Sequence, residues 1–184
     1  HLDTSKNGFY PTAEDIEKVI TPKTKAIMIC SPSNPTGRMI PESELAKIAE
    51  VVKKHQIWVL SDEVYCELVY DNKKHVSIGS MPGMKPYTIV LNGFSKAFAM
   101  TGWRIGFVVA DKVLIKAMTK VHQYAIMCSP TASQYAAIEA LKNGEESVIS
   151  MVREYDDRRK VIVDGFNKMG LTCFDPKGAF YIFP

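Results

Sequence analysis

Cysteine is scarce in this chain: four residues in 184, at positions 30, 66, 128 and 173. No two form a Cys-x-x-Cys pair and none stands at metal-ligand spacing from a histidine. That argues against a zinc site, a dithiol redox centre and a disulfide framework. Cys30 and Cys66 fall in apolar runs and read as small core residues. So few thiols fit a reducing, cytoplasmic setting. Long apolar runs are also missing: none approaches the roughly 20 residues of a membrane-spanning helix. The first residues do not read as a secretory leader. Neither charge sign dominates, with 23 Lys and Arg against 20 Asp and Glu. The densest basic clusters, Lys73-Lys74 and Arg158-Arg159-Lys160, have acids beside them at Asp71 and Asp156-Asp157. They read as solvated faces, which excludes a nucleic-acid surface. Histidine is rare as well. His1, His55, His75 and His122 show no acid or serine partner in a triad-like context and read as surface or helix-end residues. Asn34-Pro35-Thr36 is no glycosylation acceptor, because proline fills its middle position.

What is present is ordinary globular material. Hydrophobic residues make up 46% and charged residues 23%, enough to build a sizeable core. Strand and helix patterns alternate. Thr24 to Cys30 is a short apolar run that ends at a Ser-Pro-Ser-Asn-Pro-Thr-Gly loop, a strand followed by a turn. Pro41 and the early acids open a segment with Leu45, Ile48, Ala49 and Val52 at helical spacing. Ile57 to Leu60 reads as a second strand, cut off at Ser61-Asp62-Glu63. Thr88 to Leu91 reads as a third, ending at Asn92-Gly93-Phe94-Ser95-Lys96. Gly106 to Ala110 reads as a fourth, followed by a helix from Asp111 to about Tyr124. A further helix spans Pro130 to Leu141, with Ser129 as its expected cap and Asn143-Gly144 past its end. A long amphipathic helix follows from Glu145 to Met169, closed by Gly170. The tail predicts a strand, a Pro-Lys-Gly turn and the start of another strand. This order implies an α/β fold: a helix-flanked, mostly parallel sheet. The last stretch suggests the start of a smaller α+β domain. The expected division is 1–144, a long helix at 145–170, and 171–184. Neither end reads as a fold boundary, so a piece of a longer protein is expected.

Ligands collect at the carboxyl ends of the strands in open α/β sheets. Three such ends carry chemically capable residues, namely Asn34, Asp62 and Lys96. A carboxylate following an apolar strand is costly to bury without a positive partner, although Asp62 could also cap the turn that follows it. A lysine in an apolar site has a lowered pKa and can act as an amine nucleophile. Arg104 lies between Gly102 and Gly106, where a backbone can approach a ligand closely and a guanidinium could hold a phosphate. Phe94, Phe98 and Trp103 lie close together and read as packing residues.

Taken in order and spacing, Asn34-Pro35-Thr36-Gly37, Asp62-Glu63-Val64-Tyr65, Ser95-Lys96 and Gly102-Trp103-Arg104-Ile105-Gly106 resemble the class I/II aminotransferase family. So does Gly178-Ala179-Phe180-Tyr181 near the end. The resemblance covers nearly the whole chain. It implies the aspartate-aminotransferase fold (fold type I) with pyridoxal 5'-phosphate as cofactor, and a homodimer acting on an amino acid and a 2-oxo acid. It implies that Lys96 forms an aldimine with the cofactor and that Asp62 pairs with the ring nitrogen. Asn34 and Tyr65 would hold the phenolic oxygen, and Ser95 and Arg104 the phosphate. It also places the remaining phosphate donors, a ring-stacking aromatic and a carboxylate-binding arginine outside residues 1–184. Two other readings share the fold: a carbon–sulfur lyase and a non-catalytic cofactor-binding module. The tyrosine at 65 and the Thr101-Gly102-Trp103-Arg104 sequence favour an aminotransferase over the lyase and related synthases.

Overall fold

The computed structural model describes residues 2–184, so His1 and its expected surface placement lie outside the described residues. Strands β1 (Ala26–Cys30), β2 (Trp58–Asp62), β3 (Thr88–Gly93) and β4 (Gly106–Val109) form one sheet in sequential order. The first three are parallel, and β4 runs antiparallel to β3.

Helix α2 (Glu42–His55) links β1 to β2. Its apolar residues Leu45, Ile48, Ala49 and Val52 fall on one stripe and are all buried. Glu42 and Glu44 sit in the first turn and Lys53, Lys54 and His55 in the last, each favourable to the helix dipole. The pairing of Ile27 with Val59 and Ile29 with Ser61 aligns one face of the sheet. That face packs against α2 and the shorter α1 (Ala13–Val19), together with Ile78 and Met84. Burying each such aliphatic side chain contributes roughly 1.5–3 kcal/mol before entropy is counted. The alternate residues face the other way: Met28 is 67% exposed and Trp58 43%. The sheet therefore has one covered face and one open face.

Helix α1 has no counterpart among the expected elements. At seven residues it is too short to show a period, but Thr12 caps it by accepting from the Asp15 N–H, and Ile16 anchors it in the core. Helices α3 (Lys112–Ala125), α4 (Thr131–Asn143) and α5 (Glu145–Lys168) complete the set. Asp111 caps α3 by accepting from the Val113 N–H at 2.8 Å. The expected Ser129 cap of α4 is not made. Pro130 holds the cap position, and the Ser129 carbonyl accepts from Gln134 instead. Gly144 closes α4 and opens α5; a β-carbon there would meet the Ala140 carbonyl at 2.5 Å.

The tail differs from expectation, with no strand pair. Its backbone bonds go to two separate loops. Lys177 and Gly178 donate to the Gly37 carbonyl, and Ala179 donates to Leu68. Only an isolated bridge, Val69 to Gly178, has strand-like pairing. A buried charge also ties the tail to the body. Arg159 of α5, its side chain 4% exposed, meets Asp71, Asp156 and Asp175, while Lys177 meets Asp71 and Asp175. Among the described residues, no helix is long and apolar enough to cross a membrane.

Candidate active site

The carboxyl ends of β1, β2 and β3 lie side by side, with Cys30 opposite Asp62 and Asp62 opposite Leu91. The Ser31 N–H donates to the Asp62 carbonyl at 3.2 Å, so the loop after β1 leaves directly beside β2. That loop folds back on itself through Gly37 N–H to Ser33 and Ser33 N–H to Arg38. Asn34 lies exposed at its tip, near enough to the Tyr65 hydroxyl to oppose the rise of its pKa.

Asp62 is the last residue of β2. One carboxylate oxygen accepts from the Val64 N–H at 3.2 Å, so the side chain does cap the following turn. The turn continues through Cys66 N–H to Glu63 and Leu68 N–H to Tyr65, which brings the Tyr65 ring into a buried position. The Tyr65 and Tyr181 hydroxyls are 2.5 Å apart. Burial pushes the Tyr65 phenol well above its ordinary value; the bond to Tyr181 adds to this and Asn34 opposes it.

Lys96 lies just beyond β3. Its Nζ is 5.7 Å from the centre of the Tyr65 ring and 5.3 Å from that of Phe180. No carboxylate pairs with it among the described residues. Its neighbours are aromatic faces, which attract a cation only weakly at this range. Residues 94–105 connect β3 to β4. Because that pair is antiparallel, the connection leaves and re-enters at the same end of the sheet. Gly93 and Gly106 let the two backbones close up; a β-carbon on Gly106 would meet the Asn92 carbonyl at 2.9 Å.

The structure thus brings Asn34, Tyr65 and Lys96 into one contiguous group, with Asp62 at the adjoining strand end. Ser95 and Arg104 lie on the same connection but do not touch one another. The Ser95 carbonyl accepts from Thr101 Oγ1 at 2.9 Å. Arg104 is exposed, has φ of 52°, and donates from Nη1 to the Thr101 carbonyl at 2.9 Å, which leaves most of its fork free. Phe94 packs against Phe98 and Phe107, whereas Trp103 is exposed.

Several residues depart from the sequence reading. His75 has an acid partner: its Nε2 lies 2.9 Å from Glu63, and His55 likewise meets Glu17. Separations of 12 and 38 residues hide both pairs from local inspection. Cys30 and Cys66 are half-buried at the edge of the core. Burial raises both thiols, Cys66 to about 11, so neither is a ready thiolate. Tyr181, Phe180 and Glu63 were not among the expected site residues. All three lie within the four-residue segments quoted above, but no local signal gives any of them a part in the site. Among the described residues, no group of three His, Cys, Asp or Glu could hold a metal ion.

The chain is similar to known proteins over nearly its whole length. A family model described as aminotransferase class I and II matches residues 2–184. YugH of Bacillus subtilis is 55% identical over 181 residues, covering 98% of this chain and 47% of that protein. An aspartate aminotransferase of Pyrococcus abyssi is 47% identical over 97% of this chain and 46% of its own length. The solved aromatic aminotransferase of Pyrococcus horikoshii superposes with a TM-score of 0.94 at 46% identity. That match covers 97% of this chain and 48% of the other. The chain spans about half the length of the curated relatives it matches.

Proposed function

Because this chain belongs to the aminotransferase class I and II family, we propose that it carries the cofactor-binding core of a pyridoxal-phosphate-dependent aminotransferase. The whole protein would exchange an amino group between an amino acid and a 2-oxo acid. The observation that carries this reading is the Lys96 amine. It has no carboxylate partner among the described residues, faces the Tyr65 ring, and lies beyond β3, next to the strand that ends in Asp62.

The donor set suits an anionic, aromatic phosphate ester. Arg104 offers free guanidinium donors, and with the Ser95 hydroxyl would hold the phosphate. Asn34 and Tyr65 present polar groups to one point and would hold the phenolic oxygen. Asp62 would pair with the ring nitrogen and favour its protonated form. When bound, the cofactor supplies an electron sink for the charge left as the substrate α-proton departs. Lys96 would anchor the cofactor, and its Nζ would accept the substrate α-proton as base and give it up as acid.

The division proposed for the whole protein is a large domain over 1–144, a connecting helix at 145–170 and a smaller domain from 171. The unbroken α5 and its Arg159 contacts to both Asp71 and Asp175 are consistent with that division. A homodimer in the cytoplasm is proposed as well, the location supported by four unpaired cysteines.

The test is chemical labelling of the full-length parent. With pyridoxal phosphate bound, borohydride reduction and peptide mapping should place the cofactor on Lys96. A label on Lys112 or Lys116 instead would overturn the assignment.

A further inference from the structure

Glu63 is 4% exposed and lies directly between Asp62 and the turn that carries Tyr65. Its carboxylate is ringed by donors. One oxygen accepts from Ser61 Oγ at 2.9 Å and Ser77 Oγ at 2.6 Å. The other lies 2.9 Å from His75 Nε2, the geometry of an imidazole protonated at that nitrogen. Burial opposes the charge, but the bonds from His75 and Ser77 outweigh it and hold the carboxyl below its ordinary range. The cluster is not a hydrolytic triad, because Ser77 donates to the carboxylate and not to the imidazole.

A buried carboxylate is an expensive way to fill space. An apolar side chain of similar volume is often as stabilising or more so. What the carboxylate adds is direction. The backbone of Glu63 is already committed at both ends: its N–H donates to Leu91 of β3 at 2.9 Å, and its carbonyl accepts from Cys66 at 2.9 Å to start the turn. Three side-chain bonds then fix the residue's rotation about the chain. Strand alternation sends Ser61 and Glu63 to the covered side, which turns Asp62 to the open side.

We infer that Glu63, held by His75, Ser77 and Ser61, is a positioning residue that sets the turn presenting Asp62 and Tyr65 to the cofactor. This rests on the reading that Asp62 and Tyr65 serve that cofactor.

The experiment uses the full-length parent loaded with pyridoxal phosphate. Glu63→Gln preserves shape but sets an NH2 group against one of the three donors. It should lower kcat by about tenfold to a hundredfold, the scale on which small misplacements act, with KM close to wild type. The pH midpoint of the bound cofactor's visible absorption should shift. His75→Gln, which keeps an N–H for the carboxylate, should retain most turnover, and His75→Leu should not. If Glu63→Gln fails to fold, the two His75 variants carry the same readouts. A folded Glu63→Gln enzyme with wild-type kcat and an unmoved midpoint would sink the inference, as would equal activity in His75→Gln and His75→Leu. Borohydride labelling of the wild type separates the two levels. A missing Lys96 label defeats the cofactor reading, whereas a labelled Lys96 with indifferent Glu63 and His75 variants defeats the positioning role alone.

Discussion

The Tyr65 and Tyr181 hydroxyls touch at 2.5 Å across 116 residues of sequence. The contact joins the turn after β2 to the tail, and Phe180 beside it forms part of the surface facing Lys96. Burial comes first in raising the Tyr65 phenol and the Tyr181 bond second. A raised pKa favours the protonated phenol in the fold. Its contribution to stability is complete below the ordinary value of 10 and is lost as pH climbs above it. Tyr181→Phe should therefore let Tyr65 ionise at lower pH. Ring-carbon NMR of labelled tyrosines, with Tyr65→Phe for assignment, reads this directly. An unchanged Tyr65 titration would show that the contact has no energetic weight.

Asp62→Ala in the parent should cost far more in turnover than in cofactor binding. Its carboxylate stabilises charge that grows only as the α-proton leaves. The comparison is kcat at saturating cofactor against cofactor affinity. A variant that merely bound cofactor weakly and turned over normally when saturated would contradict that role.

Arg159→Ala should destabilise the fold by roughly 3 kcal/mol, the low end for breaking a buried ion pair, since its carboxylate partners partly reach water. Denaturant titration gives the value. Bonding to Lys177 holds Asp71 below the ordinary 3.8. For Asp156, burial pushes upward but is outweighed by Lys160 and Arg159, so it too is lowered. Their contribution is present above 3.8 and lost as pH falls through the depressed values. Asp71→Asn should flatten the acid limb of the stability profile; an acid limb as steep as wild type would count against the cluster.

Gly178→Ala would set a β-carbon 2.5 Å from that of Pro32 and 3.1 Å from the Leu68 carbonyl. Gly37 has φ of 67°, and a β-carbon there would lie 2.5 Å from that of Pro176. Both substitutions should push the tail off its two loops and cost at least about 1–3 kcal/mol as overpacking. Loss of the Tyr65–Tyr181 contact should accompany that cost in the same NMR experiment. Wild-type stability in either variant would mean the tail can shift freely.

The layered α/β core was legible because its signals are local. The stripe of Leu45, Ile48, Ala49 and Val52 gives α2, and apolar runs ending in polar loops give β1 to β3. The reversal of β4 left no local mark, since strand direction depends on which edge accepts the returning chain. The tail misled because AFYIF, residues 179–183, has strand propensity, whereas the tail's hydrogen bonds go to Gly37 and Leu68 on different loops. In the site, Asn34, Asp62 and Lys96 were visible as polar residues after apolar runs. Glu63–His75 and Tyr65–Tyr181 were not, because each pair exists only once the chain has folded.

The Arg159 cluster also bears on time. Its bond to Asp71 spans 88 residues, and the Lys177 bond to the same carboxylate spans 106. Contacts that close such long loops gain nothing until the ends have been brought together. The clasp is therefore expected to form after the sheet and α2 have set, downstream of the folding barrier. Weakening it should leave the rate of folding nearly untouched and quicken unfolding, which makes Arg159 a determinant of how long the native state lasts.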